Sequence, residues 1–180
     1  MFDCSPRVGL YVRNTTLEEG QVFEQYIEKA RRVIFFARYE ASEFGSPYIE
    51  SEFLLLGLLR EDNYLITRWL GGGDWPTILR EDVVKRIHQG LKTSTSVDLP
   101  LSDEATRVLA YAAEEAERLK HKYVGTEHLF LGLLRDRDSC AAKLLLDRGV
   151  NPETVRETIA KESAQLQPIE FPKRRIPKRW

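Results

Sequence analysis

The chain has 180 residues, a net charge of −1, 42% apolar residues and 31% charged ones. Those proportions exclude a disordered chain and a membrane-embedded one. The longest apolar run, Phe53–Leu59, is seven residues, far short of the ~20 needed to span a bilayer. Two cysteines, Cys4 and Cys140, are too few for a disulfide framework at this size, and no apolar leader follows Met1. A reduced, cytoplasmic setting is therefore expected.

Residues 1–20 form an extension in which Val8, Leu10 and Val12 alternate with Gly9, Tyr11 and Arg13, the pattern of a short strand. Asn14-Thr15-Thr16 satisfies the glycosylation triplet, but a cytoplasmic chain is not modified there. From Ile27 onward, Ala30, Val33, Ile34, Ala37, Ala41 and Phe44 recur at helical steps. A second helix follows, with Ser51 as its expected N-cap and Phe53–Leu59 apolar all round, so it must be central and buried. Gly57 inside it costs about 1 kcal/mol against alanine, which implies close packing of another helix there. Arg60 ends it favourably for the helix dipole. A short helix over Ile66–Leu70, a turn at Gly71-Gly72-Gly73, and a helix from Pro76 to about His88 complete the unit. The glycine run follows a helix instead of a strand, so it reads as a turn and not a phosphate loop.

The polar segment 91–100, with Thr93, Ser94, Thr95 and Ser96, is a flexible linker. Beyond it the pattern returns. A shift of 75 residues aligns Glu28–Asp62 with Asp103–Arg137 and gives fourteen identities in thirty-five positions. Among them are Glu40 with Glu115, Glu52 with Glu127, Gly57 with Gly132, and Arg60 with Arg135. After one inserted residue, Gly73, Pro76 and Arg80 match Gly149, Pro152 and Arg156. Ser102 is the N-cap of the second copy's first helix, Thr126 the expected cap of its central helix, and its last helix runs to about Glu162. The expectation is an all-α fold of two homologous four-helix repeats, 21–90 and 101–164. Units of that size are marginal alone, so they should pack as one pseudo-twofold-symmetric domain. The tail 165–180 carries five basic residues against Glu170, which leaves the body acidic at about −5. An acidic body argues against nucleic-acid binding; a tail-mediated binder is the remaining form of that reading.

Enzyme motifs are absent: there is no Walker loop, no G-x-S-x-G elbow and no H-E-x-x-H. His121 and His128 can approach each other, but no cysteine or carboxylate pattern completes a metal set, and Cys140 aligns with Leu65, a buried apolar role. The expectation is a non-enzyme with no cofactor and no metal.

Gly125-Thr126-Glu127-His128-Leu129, followed by Gly132-Leu133-Leu134-Arg135, resembles the Clp N-terminal repeat domain found ahead of the ATPase rings of Clp-type AAA+ unfoldases. The resemblance covers about residues 24–164. Copy one departs from it, with Glu50-Ser51-Glu52-Phe53 at the turn, and Lys120 stands where Gly45 keeps the family's glycine. The resemblance implies a non-enzymatic recognition or adaptor module whose partners are a Clp ATPase, a protease subunit, adaptors or substrates. No ATPase module follows within these residues, so a stand-alone protein or a fragment is expected. The alternative is an accessory subunit docking on the proteolytic core, as some plastid relatives do. The family further implies phosphoarginine sites, one per repeat, in which the turn's glutamate holds the guanidinium and a hydroxyl at the first helix helps hold the phosphoryl group. Carried over, Glu127 and Ser102 form the second site, crowded by Asp103 and Glu104. Glu52 marks the first, where Ile27 replaces the hydroxyl.

Overall fold

In a computed structural model of the protein, the structure describes residues 25–165; the expected strand near Val8–Val12, Asn14 and the basic tail lie outside them. Eight helices follow in order: α1 Glu28–Phe44, α2 Ser51–Glu61, α3 Asn63–Trp69, α4 Trp75–Val84, α5 Asp103–Arg118, α6 Thr126–Arg135, α7 Cys140–Leu146 and α8 Pro152–Gln165. The fold is all-α. Its only β-type pairings among the described residues are two isolated bridges, Tyr26 with Val124 and Ile49 with Leu101, both parallel.

The core is the antiparallel pair α2 and α6. Phe53, Leu55, Leu56 and Leu58 on α2, and Phe130 and Leu134 on α6, are wholly buried. Burial of one such side chain is worth roughly 1.5–3 kcal/mol. α1 covers α2 from outside and α5 covers α6. Within each unit the two helices run antiparallel. Phe44 near the end of α1 meets Phe53 near the start of α2, while Arg32 at the start of α1 bonds Glu61 at the end of α2. Arg107 and Asp136, then His121 and His128, mark the same two ends in the second unit.

The helix glycines have the role their position implied. A Cβ on Gly132 would stand 2.5 Å from the Val108 carbonyl oxygen, and one on Gly57 would run into the Val33 carbonyl. No other residue lets the outer helix lie this close. Gly45 ends α1 at φ +68, the left-handed cap that glycine adopts without strain. Lys120 takes the matching position with φ +58.

Three local expectations change. Ser51 and Thr126 are the first helical residues and not the caps; Glu50 and Gly125 precede them. Their hydroxyls donate across the repeat boundary instead, Ser51 to Glu104 at 2.5 Å and Thr126 to Asp62 at 2.8 Å. α4 stops at Val84, short of His88. The linker is laid along the end of α1. Thr93 N–H donates to Ser42 O, Gly90 N–H to Phe44 O, and Arg38 to Val97 O. Carbonyls at a helix end lack intrahelical partners, so a passing strand of linker satisfies them.

Candidate functional site: two cross-repeat turns

Each central helix begins where the other repeat's leading segment arrives. Ile49 N–H donates to Pro100 O at 2.9 Å and Ser102 N–H to Ile49 O at 3.0 Å. At the other end, Val124 N–H donates to Gln25 O at 2.7 Å and Ile27 N–H to Val124 O at 3.0 Å. The start of α5 therefore sits beside the start of α2, and the start of α1 beside the start of α6.

This rearranges the expected sites. Ser102 and Glu127 do not meet. They lie at opposite ends of α6, a helix of 10 residues spanning about 15 Å. Ser102 belongs with the turn of Glu52, and Ile27 with the turn of Glu127. The sequence repeat places a glutamate and a hydroxyl in the same copy, but the antiparallel pairing within each unit sends them to opposite ends. Only the cross-repeat bridges bring partners together.

The first turn is strongly acidic. Ser51 donates to Glu104 and also reaches Glu52 at 3.1 Å. Burial, with the charges of Glu52 and Glu104 beside it, pushes the Glu50 carboxyl up to about 7. Burial likewise raises Glu104, against the bond from Ser51. None of Glu50, Glu52 and Glu104 has an ion-pair partner among the described residues. The arrangement favours a cation, and a guanidinium suits paired carboxylates. Ser102 Oγ accepts from Ala105 N–H at 3.1 Å, as the N-cap expected of it. Glu104 thus crowds the Glu52 turn and not that of Glu127, and Asp103 before it is exposed.

The second turn carries one carboxylate, that of Glu127, which folds back over Gly125 and lies 3.5 Å from His128 Nδ1. Ile27 and Tyr123 flank it, both exposed. Beneath it runs a directed chain of hydrogen bonds. Gly125 N–H donates to His128 Nδ1 at 2.7 Å, so the His128 proton is on Nε2. That proton goes to His121 Nδ1 at 2.7 Å, His121 Nε2–H goes to Ser163 Oγ at 2.7 Å, and Ser163 donates to Ile159 O at 2.5 Å. Burial and the neighbouring His121 push His128 down to about 4, against the field of Glu115. His121, Glu127 and His128 bring donor atoms within 4.8 Å of one another. They are nevertheless wired as donors and acceptors: both His128 nitrogens are occupied, and a metal on either would forfeit a bond of the chain.

Buried ion pairs that the helical pattern does not reveal clasp each unit. Glu40, 3% exposed, takes both Nη atoms of Arg80 at 3.0 and 2.9 Å. Glu115, 0% exposed, takes Arg156 Nε at 2.7 Å and Nη2 at 3.0 Å. Both partners of each pair are identical in the two copies, which was the available signal. Arg60 and Arg135 stack over Phe36 and Tyr111 besides standing 3.7 and 3.6 Å from those glutamates, so the helix dipole is only part of their role.

Comparison with known proteins agrees with this architecture. The Clp repeat (R) N-terminal domain family matches residues 100–177. The chloroplastic ClpA homolog of Brassica napus, an ATP-dependent Clp protease ATP-binding subunit, is 37% identical over 139 residues, covering 77% of this chain. The matched stretch is 16% of that relative, so the chain spans a small part of the curated relatives it resembles. The crystal structure of the N-terminal domain of the Arabidopsis thaliana chaperone ClpD is 31% identical, with a TM-score of 0.61 over 79% of this chain and 99% of that one. A ClpV N-domain in complex with VipB peptide shares the fold at a TM-score of 0.64 and 17% identity, over 83% of this chain and 94% of that one. With both repeats, the central glycine packing and a solved domain matched along almost its whole length, the chain belongs to the Clp repeat N-terminal domain family.

Proposed function

We propose that this chain is a non-enzymatic protein-recognition module of a Clp unfoldase–protease system, binding substrates or adaptor proteins through the turns of Glu52 and Glu127. The observation that carries the reading is the cluster of Glu50, Glu52 and Glu104, three part-buried carboxylates that form no ion pair among the described residues, held between the two repeats. Desolvated carboxylates that remain unpaired are costly, and a cation from another protein relieves that cost. The peptide bound by the related ClpV N-domain supports peptide recognition on this fold.

The ligand group at the Glu52 turn is an arginine side chain, with Ser102 at its edge. A phosphoryl group on that guanidinium would face Glu104, so unmodified arginine binds there better than phosphoarginine. At the Glu127 turn a single carboxylate stands beside Ile27 and Tyr123, which suits an arginine next to an apolar residue.

Purified Clp ATPase, Clp peptidase ring and this full chain, mixed pairwise and separated by size, test the assignment. Migration with the ATPase supports recognition. Migration with the isolated peptidase ring alone overturns it in favour of an accessory subunit of the proteolytic core.

A further inference from the structure

The chain of bonds under Glu127 joins two elements far apart in sequence. It begins on the backbone of the turn that opens α6 and ends on the penultimate turn of α8, through groups that are buried or half-buried. Each link has one allowed direction. Gly125 can only donate, and that fixes His128 as donor at Nε2; His121 must then accept at Nδ1 and donate at Nε2. The Ser163 proton is committed to Ile159 O. No link tolerates a second proton on His128: a proton at Nδ1 would face the Gly125 N–H, and the charge would stand against His121, whose ring centroid is 4.9 Å away.

We propose that the His128–His121–Ser163 chain is an acid-sensitive latch that clasps the end of α8 to the first turn of α6. Proton uptake by His128 releases the end of α8 while the α2–α6 core stays packed. Among the described residues, the surrounding charges do not supply a substitute for the lost bonds. Glu115 on α5 is the nearest buried carboxylate, and Arg156 of α8 already holds it on both oxygens. Glu127 on α6 is partly solvated and 3.5 Å from Nδ1. At the end of α2, Asp62 is engaged by Thr126, and on α1 Arg31 is engaged by the Tyr26 carbonyl. Glu162, beside Ser163, is bonded to Arg68 of α3. Among the described residues the latch therefore stands apart from other free charges, and the ionisation of His128 is opposed when it is closed and free when it is open.

Amide hydrogen exchange on the full chain, corrected for intrinsic rates, tests this at pH 7.5 and pH 5. A histidine titrating at 6.5 when open and about 4 when closed favours opening by about thirtyfold at pH 5. The amides of Ile159–Ser163 should lose about that much protection by a route separate from, and easier than, that of Leu54–Leu59. Ser163→Ala cuts the last acceptor without touching α6, and should lower protection of the α8 end at pH 7.5 and reduce its acid response to below about threefold. Equal protection of α8 and core amides at both pH values overturns the latch. So does an α8 response that is absent in the native chain, or undiminished in Ser163→Ala.

Discussion

Glu115 and Arg156 form a two-point ion pair inside the second repeat, with Oε2 2.7 Å from Nε and Oε1 3.0 Å from Nη2, and Glu40 with Arg80 repeats it in the first. Each pair ties the first helix of a unit to its last. The carboxylate is buried in both, so its partner is needed for more than attraction.

Removing the cation alone is the severe change. Arg156→Ala leaves Glu115 buried without its two-point partner, although Arg135 and Arg118 stand 3.6 and 3.7 Å away. We expect a loss of about 3 kcal/mol in urea unfolding, and much of it restored in the double variant Glu115→Leu with Arg156→Met. A loss under about 1 kcal/mol for Arg156→Ala would show that the flanking arginines suffice.

Gly132→Ala and Gly149→Ala should separate two uses of glycine. At Gly132 the added methyl meets the Val108 carbonyl at 2.5 Å, so α5 must move away and stability falls by about 2–3 kcal/mol. Around Gly149, at φ +82, nothing lies within 4 Å, and the cost is the backbone strain of about 1 kcal/mol. Equal thermal shifts for the two would contradict the close helix approach.

Lys120 holds a left-handed conformation at φ +58 at the end of α5, where Gly45 caps α1. Lys120→Gly removes the Cβ clash and should raise stability by about 0.5–1 kcal/mol in denaturant melts, whereas Gly45→Lys should lower it.

Much of this was legible in the sequence, and the failures have a common cause. The 75-residue repeat gave the helices, the buried all-apolar α2 and α6, and the demand for close packing at Gly57 and Gly132. These are local patterns with a helical period. The pairing of Ser102 with the Glu52 turn was not legible, because spacing within one copy says nothing of which copy's helix ends adjoin. The Ser51 and Thr126 hydroxyls fit an N-cap by residue type, and only their position opposite Glu104 and Asp62 shows why they are used otherwise. The repeat shows Glu40 and Glu115 only as identities between the copies, since burial of a charge depends on an arginine some 40 positions away.

Two groups withdrawn from solvent, one buried and one half-buried, give opposite pH slopes. His128 sits at about 4 when folded against 6.5 when unfolded, so the unfolded chain binds more protons between those values. Its contribution, about 3 kcal/mol, is complete above pH 6.5 and is lost as pH falls through 4. Glu50 sits at about 7 when folded against 4.5 when unfolded, so its contribution is present below 4.5 and is lost as pH rises through 7. The native chain should therefore show a shallow stability profile from pH 4.5 to 6.5. Glu50→Gln should uncover a stability that rises with pH across that window. A profile unchanged by Glu50→Gln would refute the opposed pair.

Calorimetric titration of the full chain with a short arginine-containing peptide, and with the same peptide phosphorylated on its arginine, tests recognition most directly. Saturable binding of the unmodified peptide is expected, weakened about tenfold or more by Glu52→Gln and by added salt, with the phosphorylated form weaker at that turn. Binding that is absent, or equal in the native chain, Glu52→Gln and Glu127→Gln, would contradict it.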